Sequence, residues 1–118
     1  MQKTVLLTGS QGFTGRYVRD ALVKDGFNVV GLVQNNAQAN DVEANLLDLT
    51  SLRTAVAQVR PNLVIHLAAI AFVGHASAED FYRVNLFGSL NLLEALHAEK
   101  APIEKILLSS SANIYGNP

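Results

Sequence analysis

Thr8-Gly9-Ser10-Gln11-Gly12-Phe13-Thr14-Gly15 is the stretch that decides the fold. It follows an apolar run, residues 4–7, that reads as a strand. It opens a helical pattern with Phe13, Tyr17, Val18, Ala21 and Leu22 on one face. A strand, a glycine loop and a helix in that order make an anion site. The first N–H groups of the helix have no partner within it, and the positive end of its dipole faces the loop. Glycines let a pyrophosphate approach the main chain closely, so the ligand that suits this arrangement is a dinucleotide. The spacing is Gly-x-x-Gly-x-x-Gly, not Gly-x-Gly-x-x-Gly, and a glycine triplet alone also fits a plain strand-to-helix turn. No Gly-Lys-Ser/Thr follows, which argues against ATP or GTP phosphoryl transfer.

Outward from the loop, bulk properties narrow the class. The 118 residues amount to one domain at most, residues 1–118. Apolar residues make up 49% and charged residues 16%, so a real core is expected and disorder is not. The net charge is −1 with scattered cations, which is no nucleic-acid footprint. There is no cysteine, so disulfides and cysteine-ligated metals are excluded, and no metal site is expected. The chain starts straight into a strand with no signal-peptide pattern, and no apolar run approaches the roughly 20 residues that span a bilayer. A soluble cytoplasmic protein, off the membrane, is the expectation.

Strand-like runs alternate with helical patterns throughout. Strands are expected over residues 4–7, 29–33, 44–46, 63–68 and 105–109, and helices over 13–24, 51–59 and 80–99. The runs at Leu63 and Lys105 are continuously apolar, as in strands covered by helices on both faces. Thr50 is the expected N-cap of the second helix, Pro61 ends it, and Gly26 suits the turn after the first. This rhythm predicts an α/β fold with a doubly wound parallel sheet. The 80–99 helix is apolar nearly all round, with Phe81, Tyr82, Val84, Leu86, Phe87, Leu90, Leu92, Leu93 and Leu96. Two occupants suit its outer face: a second copy of the chain, giving a homodimer, or residues outside the chain.

Several separated pieces then agree: Thr8-Gly9-x-x-Gly12-Phe13-x-Gly15, Asp48-Leu49, His66-Leu67-Ala68-Ala69, Asn85 with Gly88 and Asn91-Leu92-Leu93, and Ser109-Ser110-Ser111-x-x-Ile114-Tyr115-Gly116. In this order they resemble the N-terminal part of an extended short-chain dehydrogenase/reductase of the NAD-dependent nucleotide-sugar epimerase/dehydratase group. Phe72-Val73-Gly74-His75-Ala76 is similar to the matching segment of GDP-4-keto-6-deoxymannose reductases. The resemblance spans the whole chain and implies a Rossmann-like sheet of about five strands, truncated. It implies that Gly9, Gly12, Phe13 and Gly15 cradle the cofactor pyrophosphate. Asp48 would accept a hydrogen bond from the adenine amino group, with Leu49 on the ring. Ala68 and Ala69 would line the cofactor channel, Asn85 would lie beneath the cofactor, and Ser111 would contact the reacting oxygen of the substrate.

Each position has a plainer alternative. Asp48 also suits a helix start, Ala68 and Ala69 a tight sheet–helix gap, and Asn85 a bond to a neighbouring loop. Ser109 and Ser110 suit a strand end and turn. His66 in an apolar strand is more often a satisfied core histidine than an acid or base. His75 reads as a loop histidine, and His97 suits a helix C-terminus.

The family's chemistry needs a general acid/base, a tyrosine in a Tyr-x-x-x-Lys pair whose lysine lowers the tyrosine pKa. No such pair occurs: Tyr17 and Tyr82 are followed four residues on by Ala21 and Leu86, and Tyr115 lies too near the end. The resemblance therefore implies the NAD(P)-binding part of a larger enzyme, without its catalytic pair or substrate domain, and no turnover by the chain alone. NAD or NADP both fit, because Gln34, Asn35 and Asn36 after the second strand supply neither an acid nor an arginine. Ala112 and Asn113 stand where sugar dehydratases tend to carry acids, which favours reduction or epimerisation of a nucleotide sugar. The rival expectations are a non-catalytic NAD(P)-binding sensor or scaffold, and a structural α/β domain with no ligand.

Overall fold

Parallel strands bond to each other through the backbone and leave two apolar faces, against which the three helices among the described residues pack. The computed structural model of the chain describes residues 2–67 and 78–108. The order is β1 (Thr4–Thr8), α1 (Phe13–Lys24), β2 (Asn28–Val33), β3 (Asp41–Glu43), α2 (Leu49–Val59), β4 (Leu63–His66), α3 (Ala78–Ala98) and β5 (Lys105–Leu108). The strands form one parallel sheet in the order β3-β2-β1-β4-β5. It is the expected Rossmann-like α/β sheet of five strands. Strand order runs outward in opposite directions from β1 and β4, so the switch point lies between them, where Thr8 pairs with His66.

Side-chain alternation sorts the core into two layers. Leu6, Leu32, Val42 and Val64 face α2 and α3 and pack with Leu52, Val56, Leu92 and Leu96. Leu7, Val29 and Leu67 point to the other face, against Val18 and Leu22 of α1. Arg53 Nε donates to Glu99 Oε2 at 2.7 Å, tying α2 to the residue just past α3. Arg60, the left-handed C-cap of α2, reaches the carbonyls of Glu99 and Lys100. Lys3 and Glu104 pair across the bottom of the sheet.

Several expectations need correction. The third strand is three residues earlier than its apolar letters suggest. A bond from Gln38 N–H to Asp41 Oδ2 (2.8 Å) shapes the turn before it. Asn45 Oδ1 then accepts from Leu47 N–H at 2.9 Å, a side-chain turn that ends it. Asp48, not Thr50, caps α2: its Oδ1 accepts from Thr50 and Ser51 N–H. Phe13 and Tyr17 are not on the buried face of α1, being 88% and 74% exposed, and Ala21 is exposed too. The helix instead meets the chain through Gly15, Val18 and Leu22, at spacings of three and four. Both faces of β5 are not covered, for Leu107 and Leu108 at this edge of the sheet are exposed. The fourth strand ends at His66; Ala68, Ala69, His75 and Ser111 lie outside the described residues.

Candidate functional site: a dinucleotide cradle

The carboxyl ends of β1, β2 and β3 and the loops that leave them enclose a groove of about 360 Å³, lined by residues 8–12, 32–34 and 44–47. Its floor follows from the glycines. Gly9 has φ +71, a conformation that strains any other residue, and a Cβ there would lie 3.0 Å from the Leu67 carbonyl carbon. Gly15 sits so close beneath the loop that a Cβ would stand 1.9 Å from Gly9 O. Gly12 differs: its φ is −78 and a Cβ would meet Gly9 O at an ordinary 3.5 Å. Packing within the described residues does not demand a glycine at position 12. Close approach of a ligand to the main chain would.

Gly12 is also the N-cap of α1, and among the described residues no side-chain cap bonds to the first N–H groups of that helix. Its first turn carries no acidic residue. An α-helix start with uncapped amides and no carboxylate in its first turn retains its partial positive charge for a ligand. The residues present therefore fit a pyrophosphate. Phe13, the first helical residue, follows Gly12 and is exposed.

The groove wall comes from β3 and the loop after it. Asp48 lies just past the lining residues and spends one carboxylate oxygen on the α2 cap. Leu49, the first residue of α2, is half-buried against the core. Gln34 and Asn45 also line the groove, as does Gln11, whose Nε2 donates to the carbonyls of Asn35 and Asn36 at 3.3 Å each. The sequence reading weighed Gln34 only for the choice between NAD and NADP and did not single out Asn45 or Gln11. The only signal for them was position: directly after β2, directly after β3, and between the first two glycines. On the other side of the loop, a polar hollow holds Arg19, paired with the buried Asp41 at 3.0 Å, and the buried Ser10. Asn85 of α3 is half-buried and partnered, one helical turn before Ser89.

His66 is a satisfied core histidine, as its apolar strand suggests. Nδ1 is 2.6 Å from Thr8 Oγ1, and Nε2 is 3.0 Å from Ser89 Oγ. Burial pushes its pKa below the ordinary value of 6.5. The neutral ring is the folded form, so the stability it contributes is complete above the ordinary value and falls away as pH drops through it. Urea midpoints measured at pH 7.5, 6.5 and 5.5 will fall more steeply for the native chain than for His66→Asn. Parallel profiles would contradict this.

A parallel sheet with a glycine-rich helix entry at its switch point defines the class: a Rossmann-like dinucleotide-binding fold. Comparison with known proteins carries this one step further. Residues 5–118 match the NAD dependent epimerase/dehydratase family, and the chain belongs to that family. It is 34% identical to UDP-glucose 4-epimerase of Neisseria meningitidis serogroup C, over 98% of this chain and 39% of that protein. The Bacillus subtilis (strain 168) UDP-glucose 4-epimerase is likewise 34% identical, over 97% of this chain and 38% of its own length. Among solved structures, the NAD complex of Brucella ovis UDP-glucose 4-epimerase superposes with TM-score 0.78 and 31% identity, over 98% of this chain and 38% of that one. The chain thus spans about two fifths of these relatives. No helix of the described residues is long and apolar enough to cross a membrane.

Proposed function

We propose that this chain is the cofactor-holding part of an NAD-dependent nucleotide-sugar epimerase or 4-ketosugar reductase, acting at sugar C4. The observation that carries the reading is the uncapped start of α1 at Gly12, set beside the β1–β4 switch point. When bound, NAD would supply the hydride acceptor or donor. The chain's residues bind and orient it: amides of residues 9–15 take the pyrophosphate, and Gln34 at the end of β2 meets the adenosine ribose. Asp48 would accept from the adenine amino group with the oxygen not used in capping, and Leu49 would pack near the ring. Ala68 and Ala69 would line the nicotinamide side, with Asn85 beneath. Ser111 would polarise the sugar C4 oxygen, and a tyrosine supplied from outside residues 1–118 would accept the proton when the C4 hydroxyl is oxidised and donate it when the C4 ketone is reduced. The UDP-glucose 4-epimerase relatives support a nucleotide sugar as substrate.

Calorimetric titration tests the cofactor half: NAD+ binds the native chain, and absence of binding by the folded chain overturns the reading. Asp48→Asn separates its two roles. Asparagine is as good an N-cap as aspartate, so thermal stability stays within about 0.5 kcal/mol while NAD+ affinity falls about fivefold. Equal affinity for both would remove Asp48 from the site. For the reaction, a Tyr-x-x-x-Lys pair encoded within a few tens of residues of Pro118 supports the enzyme. A non-catalytic NAD-holding scaffold is the second reading; residues 1–118 themselves hold no such pair. It is the reading left standing if no such pair follows.

A further inference from the structure

The ladder between β1 and β4 ends at the pair Thr8–His66, directly under the crevice where the two strands part. At that end a side chain takes over from the backbone: Leu67 N–H donates to Thr8 Oγ1 at 2.8 Å. The same hydroxyl lies 2.6 Å from His66 Nδ1, and the far side of the ring reaches Ser89 Oγ on α3 at 3.0 Å. Thr8 and His66 are 1% and 3% exposed, so this is a buried polar chain, which an apolar core does not need. Its placement gives it a use. It joins three elements next to the proposed cofactor contacts: β1, which runs into Gly9; β4, which precedes residues 68 and 69 in the chain; and α3, where Asn85 and Ser89 share a face at i, i+4. Leu67 is the pivot. Thr8 holds its N–H, and its carbonyl carbon lies 3.0 Å from where a Gly9 side chain would begin.

We infer that His66 is a positioning residue for the dinucleotide cradle: clamped between Thr8 and Ser89, its ring fixes the Thr8 hydroxyl and thereby the distance of the glycine loop from the end of β4. The ring touches no cofactor. It keeps the loop amides in the spacing a pyrophosphate requires, so that binding does not have to order them. This rests on the reading that residues 9–15 hold the dinucleotide.

Paired substitutions separate this role from space filling. His66→Asn keeps a polar atom at the Nδ1 position, toward Thr8. His66→Gln reaches the Nε2 position, toward Ser89, and abandons Thr8. Thr8→Val removes the hydroxyl at constant shape, and Val56→Ala on α2 serves as a purely destabilised control. NAD+ affinity is measured by calorimetry, and exchange of the residue 9–15 amides by mass spectrometry without cofactor. His66→Gln and Thr8→Val will bind NAD+ about tenfold more weakly than His66→Asn, and their loop amides will exchange about tenfold faster than those of Val56→Ala. Combining Thr8→Val with His66→Gln will add little further. Affinity and exchange that simply follow melting temperature across all four variants, or equal behaviour of His66→Asn and His66→Gln, overturn the inference. Should His66→Gln fail to fold, the isosteric Thr8→Val decides. If the native chain binds no NAD+, the proposed function falls, and loop exchange alone still judges the positioning role.

Discussion

Alanine at Gly15 will cost the chain about 3 kcal/mol and abolish NAD+ binding, whereas alanine at Gly12 will leave stability nearly unchanged and weaken NAD+ about tenfold. The two glycines are three residues apart and look equivalent in the sequence. At Gly15 the added carbon would stand 1.9 Å from Gly9 O and 2.7 Å from the Ser10 Cα. Both obstacles are backbone, so relief requires moving the loop away from α1. That shift disturbs the Gly12 N–H to Gly9 O turn bond (3.2 Å) and the amides meant for the ligand. At Gly12 the same carbon makes an ordinary contact at 3.5 Å. Its cost should therefore appear only when a pyrophosphate needs the space. Urea unfolding followed by circular dichroism, beside calorimetric titration, reads both quantities. A native-like unfolding midpoint for Gly15→Ala would show that the loop and helix are not in this contact.

Leu92→Ala will destabilise the chain by about 3 kcal/mol, the usual cost of a leucine deletion in a closed core. Leu92 is fully buried and packs, with Ala95 and Leu96, into the same cluster as Leu52 and Val56 of α2. Domains of this size hold only about 5–15 kcal/mol in reserve. This one also leaves Leu107 and Leu108 open on β5, so the loss will be a large share of the total. Leu90→Ala, two residues away at a position 51% exposed, will change stability by less than about 0.5 kcal/mol in the monomeric chain. Unfolding midpoints compare the two directly. Similar losses at both sites would mean that the outer face of α3 is covered in solution. Leu86, Phe87 and Leu90 would then be the residues to examine in a self-association measurement.

The class of fold was legible because its signals are local. A β-strand running into glycines and then a helix needs only about a dozen residues to declare itself, and α1 has the expected bounds. The apolar run of β4 was equally plain, since burial on two faces leaves a compositional mark; the long apolar helix was plain too, although its Leu86, Phe87 and Leu90 are exposed. The short β3 was misplaced for a physical reason. A three-residue strand has almost no periodicity of its own, and its limits are set by Asp41 and Asn45 side chains bonding to nearby backbone. Asp48 illustrates a different difficulty. One carboxylate suits both a helix cap and an adenine contact, and only geometry shows that one of its oxygens already serves the cap.

The amino-acid order alone determined that a dinucleotide-type loop opens the chain, that strands and helices alternate into a parallel sheet, and that no Tyr-x-x-x-Lys pair is present. Tertiary structure alone decided which glycine is required by packing, Gly15, and which is not, Gly12. It also decided that α1 turns Phe13 and Tyr17 outward, and that His66 joins β1 to α3. The division has one cause. Spacing along a chain encodes local periodicity and turns, but which atoms meet across strand order β3-β2-β1-β4-β5 depends on close packing between residues tens of positions apart.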